Sequence, residues 1–278
     1  MTFETRPLSP ALGVEVRGLD PRAPMAPDHA GALRDLLRRH HLLLIRGPVL
    51  SEAEQVDFAR CFGPISHRGA WMRTRDSALV SNARPDGVLG DGEMLFHADH
   101  TFFRNPLKAL ALHALELPSS GGETLFANCV LAYRNLPAAL KARIEGRTSV
   151  QLFEYGGEYN TRVPLARASA AALRATHPLV IVDPDSGERV LFVHPLTTAA
   201  ISGLDDDETQ ALLDAVTPYI ADPAIGYRHA WRVGDLILWN NITLQHARAP
   251  FDARERRTLR RTPIAVSETE AYDETAAA

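Results

Sequence analysis

Cysteine is nearly absent: Cys61 and Cys129 are the only two among 278 residues. They are isolated, which argues against a disulfide framework, a C-x-x-C redox pair and a thiolate zinc site. Long apolar runs are missing too, and none approaches the ~18 residues needed to span a bilayer. The N-terminal MTFETRPLSP holds an acid and no apolar stretch, so no secretory leader is expected. Nor is there an excess of positive charge. Lys+Arg 30 against Asp+Glu 34 gives a net charge of −4, without the basic field that suits nucleic acid. The expectation is a cytoplasmic protein with neither nucleic acid nor membrane as partner. The glycine-rich stretch from Gly87 to Gly92 is not G-x-G-x-x-G and opens no helix. The chain also lacks G-x-x-x-x-G-K-[ST], G-x-S-x-G and H-E-x-x-H.

Histidine is what the chain has in number, 11 residues against the two cysteines. A metal here would be held by imidazole and carboxylate. Apolar spacing predicts helices over His29–His41, from Ser51 through Phe62, over Pro137–Glu145 and over Asp205–Ile220. Ser51 and Glu54 form a capping box by their spacing. Short strands are expected at Phe3–Thr5, Val14–Val16, Leu42–Ile45, Ala78–Ser81, Met94–Phe96, Ala109–Leu115 and Glu123–Ala127. More follow at Leu179–Val182, Val190–Val193, Asp235–Trp239 and Thr258–Ile264. Many short strands separated by turn signals predict a mainly β protein with helices, a jelly roll of two sheets flanked by α-helices. No repeat or linker divides the chain, so one domain over 1–278 is expected. Residues 155–173, weakly periodic and containing Gly156-Gly157, are a candidate lid loop.

The segment Phe96-His97-Ala98-Asp99-His100 carries the first chemical signal. In an extended chain His97 and Asp99 share a face, and His100 replaces His97 only in a different register. One imidazole and one carboxylate make two-thirds of the facial triad that binds iron(II) and leaves positions open. His246, at the end of an apolar strand and its polar tail, is the candidate second imidazole. Downstream, Arg257 and Arg261 share one strand face, and Arg256 and Arg260 share the other, which is expected to be solvated. Buried arginines need anions, and the Arg257/Arg261 face suits bidentate carboxylate binding. A 2-oxo diacid satisfies both features, with its keto-acid end on the metal and its far carboxylate on an arginine.

The sequence resembles the taurine dioxygenase and 2,4-dichlorophenoxyacetate dioxygenase family of Fe(II)/2-oxoglutarate-dependent oxygenases. The resemblance runs from about Leu42 to Thr262 and rests on residues in fixed order. They are Phe62-Gly63-Pro64, His97-x-Asp99-x-Thr101-Phe102, Leu117-Pro118-Ser-Ser-Gly121-Gly122-Glu123-Thr124, Ala132-Tyr133, Gly234-Asp235, Leu238-Trp239-Asn240-Asn241, His246 and the Arg257/Arg261 pair. The resemblance implies a cupin-like double-stranded β-helix with His97, Asp99 and His246 as catalytic iron ligands. It implies that Thr124 and Arg257 meet the distal carboxylate of 2-oxoglutarate, and that Arg261 lies near both the cosubstrate and a substrate anion. His67 matches a substrate-binding histidine, with Arg68 or Trp71 as alternatives.

The implied reaction uses O2 and converts 2-oxoglutarate to succinate and CO2 while hydroxylating an sp3 C–H of a small anionic organic substrate, a carboxylate or sulfonate. Desaturation, epoxidation and oxidative decarboxylation at the same site stay open, as does a non-redox metal-binding β-barrel. Phe96, Phe102, Phe103, Trp71, Tyr155 and Tyr159 are candidate pocket walls. Glu93 either pairs with an amine or faces solvent. The family commonly forms dimers or tetramers, so a homo-oligomer is expected.

Overall fold

The computed structural model describes residues 3–69, 72–90, 92–154 and 159–274. It is mainly β. The larger sheet has eight strands in the spatial order Glu4–Pro7, Val14–Arg17, Leu42–Ile45, Leu236–Asn240, Ala109–Glu116, Thr258–Ile264, Ala78–Ser81 and Gly87–Val88. A second sheet orders Gly226–His229, Thr124–Asn128, Leu244–Arg248 and Met94–His97. The two sheets face each other through an apolar layer that includes Leu42, Leu44, Leu112, Phe126, Ile237 and Trp239. The rings of Phe126 and Trp239 meet across it, edge to face, at 5.4 Å.

Residue alternation explains this layering. Leu43, Ile45, Leu236 and Leu238 point away from the second sheet and meet Leu33, Leu36, Val56 and Phe58 of the helices Pro27–His40 and Glu52–Arg60. Leu42–Ile45 is apolar at every position because both of its faces are covered. Ser51 and Glu54 close the expected capping box. Helix Asp206–Ile220 begins on a second one, Asp205 with Glu208, and packs with Ala132 and Tyr133 of helix Cys129–Asn135.

Several elements differ from the sequence expectation. The strands Thr148–Phe153, Leu173–Pro178, Thr198–Ile201, Gly226–His229 and Leu244–Arg248 carry too many polar residues for apolar alternation to mark them. Helix Cys129–Asn135 starts on Asn128, whose side chain accepts from the Val130 and Leu131 N–H groups. Residues 155–158 of the expected lid lie outside the described residues. Nearby, Arg162 is buried and fastened to helix Asp206–Ile220, donating to Gln210 Oε1 at 2.6 Å and to Asp206 Oδ1 at 2.5 Å.

The expected solvated face of strand Thr258–Ile264 is corrected in part. Arg256 does reach an exposed partner, Glu116, at 2.6 Å. Arg260 instead is buried beneath helix Glu52–Arg60. There it donates to Gln55 Oε1 at 2.7 Å and to the carbonyls of Leu50 and Ser51 at 2.6 and 2.9 Å. These acceptors at the start of the helix replace water around the guanidinium.

The Gly234-Asp235 turn joins the sheets. A Cβ on Gly234 would stand 2.1 Å from the Gly47 carbonyl oxygen, so only glycine fits. Asp235 is buried and accepts from Arg46 Nη1 at 2.8 Å, His229 Nε2 at 3.0 Å and the Arg232 N–H at 2.9 Å. Burial pushes its carboxyl pKa up, but these donors outweigh burial and hold it below the usual range. His113 is buried, accepts from the Leu50 N–H and donates through Nδ1 to the Asp235 carbonyl at 3.1 Å. Asp235→Asn should therefore destabilise the protein by about 2 kcal/mol at neutral pH. A carboxylate with a depressed folded-state pKa stabilises fully above its unfolded value, about pH 4, and less as pH falls through the folded value. Urea unfolding at pH 7 and at pH 3 should thus show a wide gap between wild type and variant that narrows in acid.

Candidate metal centre and adjoining cavity

Strand pairing assembles the centre. His246 lies in register with His97 on one side and with Phe126 on the other. The two imidazole centroids are 4.3 Å apart. Strand Met94–His97 ends at His97, so Asp99 stands in the following turn rather than on the strand. The buried Asn241 places it there. Its side chain accepts from the Asp99 N–H at 2.9 Å and donates to the Asp99 carbonyl at 3.0 Å. One ligand atom each from His97, Asp99 and His246 fall within 4.8 Å of one another.

The donor set suits a divalent metal ion. His97 Nδ1 is 2.8 Å from the Leu95 carbonyl oxygen, which only accepts, so Nδ1 carries the proton. The Nε2 lone pair then faces Asp99 Oδ1 at 3.5 Å. Burial, with His97 beside it, pushes the His246 pKa down to about 3, which leaves a neutral ring. Burial pushes the Asp99 carboxyl up, but the Arg261 guanidinium prevails and holds it well below the usual range. Arg261 Nε and Nη2 both donate to Asp99 Oδ2, at 2.9 and 2.8 Å, leaving Oδ1 toward His97. Two neutral imidazoles and one carboxylate fit iron(II) chemistry.

A small recess of about 50 Å³ lies behind the triad, lined in part by Thr124, Arg248, Arg257 and Arg261. Arg257 is buried and donates through Nε and Nη2 to the Gly122 carbonyl, at 3.1 and 3.0 Å. Burial, with Arg248 nearby, pushes its pKa down to about 9. Among the described residues no carboxylate pairs with it. Gly122 has φ +68°, and a Cβ there would stand 3.0 Å from Arg257 Nε, so the second glycine of the Pro-Ser-Ser-Gly-Gly element makes room for the guanidinium. Thr124 begins its strand, in register with Arg248 on one neighbour and His229 on the other.

A larger cavity of about 320 Å³ also adjoins the triad and shares His97, Asp99 and Arg261 with the recess. Among the described residues Arg261 is its one guanidinium, and Phe102, Phe153, Tyr159, Leu89 and Met94 form apolar walls. Of the aromatic walls expected from sequence, Phe102 and Tyr159 are here, and Trp71 and Tyr155 lie outside the described residues. Phe103 stands behind, against His100 at 5.3 Å, and Phe96 packs with the opposite helical layer. Phe153 and His100 are additions. His100 is buried at φ +59°, a conformation rare for a residue with a Cβ. Glu93 faces solvent.

His67, expected at the substrate, is not among the described residues that line this cavity. Its N–H donates to the Ala271 carbonyl, which ties the segment to the C-terminal helix Glu268–Tyr272. Its ring stacks on Tyr272 at 5.0 Å and its Nε2 is 3.5 Å from Asp76. It lines a separate open cleft with Arg60 and Asp76.

The chain is similar to known proteins over nearly its whole length. Residues 4–262 match the family model described as taurine catabolism dioxygenase TauD, TfdA family. The chain is 30% identical to pentalenolactone F synthase of Streptomyces avermitilis, covering 92% of each chain. It is 29% identical to the alpha-ketoglutarate-dependent 2,4-dichlorophenoxyacetate dioxygenase of Cupriavidus pinatubonensis, covering 94% of this chain and 97% of that one. The crystal structure of AAD-2 in complex with Mn(II) and N-oxalylglycine superposes with a TM-score of 0.80 at 25% identity, covering 96% of this chain and 99% of that one. With the two imidazoles, the carboxylate and the buried arginines set between its sheets, the chain belongs to the TauD/TfdA family of dioxygenases.

Proposed function

We propose that this enzyme hydroxylates an sp3 C–H of a small anionic organic substrate, a carboxylate or sulfonate, within one domain built on a double-stranded β-helix. The enzyme is an Fe(II)- and 2-oxoglutarate-dependent dioxygenase that uses O2. The observation that carries the finer reading is the presence of two guanidinium sites beside the triad. Arg257 lies in a recess too small for anything but the end of a diacid, and Arg261 borders a larger apolar cavity.

In this reading His97, Asp99 and His246 hold the iron. When bound, the iron and 2-oxoglutarate together activate O2 and oxidise the substrate C–H, yielding succinate and CO2. The remaining work belongs to side chains. Arg257 supplies a buried positive charge for the distal carboxylate, and Thr124 supplies a hydroxyl beside it. Gly122 keeps the guanidinium in place. Arg261 neutralises Asp99 Oδ2 and presents a guanidinium to the cavity, where a substrate anion gains most from it. Phe102, Phe153 and Tyr159 exclude water around the hydrocarbon part of the substrate. Asn241 holds the Asp99 backbone so that the carboxylate meets both imidazoles.

Three outcomes test the assignments. Asp99→Ala should lose iron retention on a desalting column and iron-dependent succinate release, and near-wild-type turnover would remove Asp99 from the ligand set. Arg257→Met should weaken 2-oxoglutarate binding by at least about 30-fold, since truncating one member of a buried charge pair costs about 2 kcal/mol or more. Equilibrium titration of the metal-loaded protein reads this directly. Arg261→Ala should raise KM for an anionic substrate far more than the dissociation constant for the metal. An unchanged substrate KM across a panel of aryloxy acids, sulfonates and alkyl sulfates would reject the anion pocket.

A further inference from the structure

The Trp231 indole N–H is 3.0 Å from Thr124 Oγ1. An indole N–H only donates, so the threonine oxygen is fixed as the acceptor of this bond. Its single hydroxyl proton must then be donated elsewhere. Among the described residues Thr124 Oγ1 makes no other side-chain hydrogen bond, and Thr124 lines the recess that also holds Arg257. A strand residue has no carbonyl of a preceding helical turn to absorb that proton, unlike a threonine within a helix. The free direction of the hydroxyl is therefore the recess.

The indole is itself held. It stands edge-on to the His229 ring at 4.5 Å and 88°. His229 is fully buried and pinned at both nitrogens, by the Tyr227 hydroxyl at 2.9 Å and by Asp235 at 3.0 Å. Asp235 is anchored in turn by Arg46. Strand register sets His229 directly beside Thr124. The chain from Arg46 to Trp231 thus ends on one hydroxyl.

We propose that Trp231 is a positioning residue for the cosubstrate. Its indole N–H orients and polarises the Thr124 hydroxyl so that the hydroxyl donates to the distal carboxylate of 2-oxoglutarate. The inference rests on the reading that Thr124 and Arg257 form the distal-carboxylate site, and it extends that site to a residue that does not itself touch the cosubstrate. Accepting a hydrogen bond makes a hydroxyl a better donor, and the fixed rotamer spares the entropy of ordering it on binding.

The test is equilibrium binding to the Mn(II)-loaded full-length protein of two keto acids, 2-oxoglutarate and 2-oxobutanoate, the second of which has no distal carboxylate. Trp231→Phe keeps an aromatic ring against His229 and removes only the N–H. It should weaken 2-oxoglutarate about fivefold, as expected for one hydrogen bond, and leave 2-oxobutanoate and Mn(II) binding unchanged. Thr124→Val should weaken 2-oxoglutarate at least as much, and the double variant should be no weaker than Thr124→Val alone. Equal weakening of both keto acids by Trp231→Phe, additivity in the double variant, or no effect on 2-oxoglutarate would each overturn the role of Trp231. If Thr124→Val and Arg257→Met also leave 2-oxoglutarate binding intact, the distal-carboxylate site itself is wrong, and the proposal falls with it.

Discussion

Positive charge enclosed between two apolar sheets is the constraint on which this molecule turns. Arg248, Arg257 and Arg261 all border the recess between the sheets. A guanidinium in such a place is tolerated only with acceptors in good geometry. Each solution fixes a piece of the site. Arg248 takes the carbonyls of Gly90 and Gly92 and so ties the glycine-rich loop beside the cavity. Arg257 takes the Gly122 carbonyl, and Arg261 takes Asp99. The positive field that this leaves is the natural counterpart of a diacid and of an anionic substrate.

The triad residues come from the smaller sheet and the turn after it, as does Arg248, whereas Arg257 and Arg261 come from the strand Thr258–Ile264 of the larger sheet and the residues just before it. Neither sheet alone makes a site. The interface between them is therefore both a hydrophobic core and a reaction chamber, and the Gly234-Asp235 turn links the two functions. It packs against Gly47 just beyond the end of strand Leu42–Ile45 in the larger sheet and holds His229 in the smaller one.

Much of this was legible in sequence because it obeys short periods. Leu42–Ile45, Ala109–Glu116 and Leu236–Asn240 show themselves as apolar runs. Ser51 and Glu54 announce a helix start. His97 and Asp99 were correctly paired by i, i+2 spacing, although the strand stops at His97 and a distant amide, Asn241, completes the placement. What was illegible is long-range. Strand Leu244–Arg248 reads as Leu-Gln-His-Ala-Arg, whose polar residues are buried for the sake of the site and erase the alternation. Arg260 looked solvated because its acceptors, Gln55 and the Leu50 and Ser51 carbonyls, lie more than two hundred residues away. His67 looked like a site residue by proximity to Phe62-Gly63-Pro64, and only its backbone bond to Ala271 shows which way it turns.

The doubled arginines around Leu259 have a consequence for how the larger sheet aligns itself. Shifted by one position, the strand would still offer guanidiniums to the recess, with Arg256 and Arg260 standing in for Arg257 and Arg261. Charge on the recess side is thus degenerate under the slip and does not by itself protect that face against misalignment. Leu259 breaks the degeneracy, since it is wholly buried in the layer between the sheets and a slip would send it to the opposite face. One aliphatic side chain acts as the reading-frame marker for four cations.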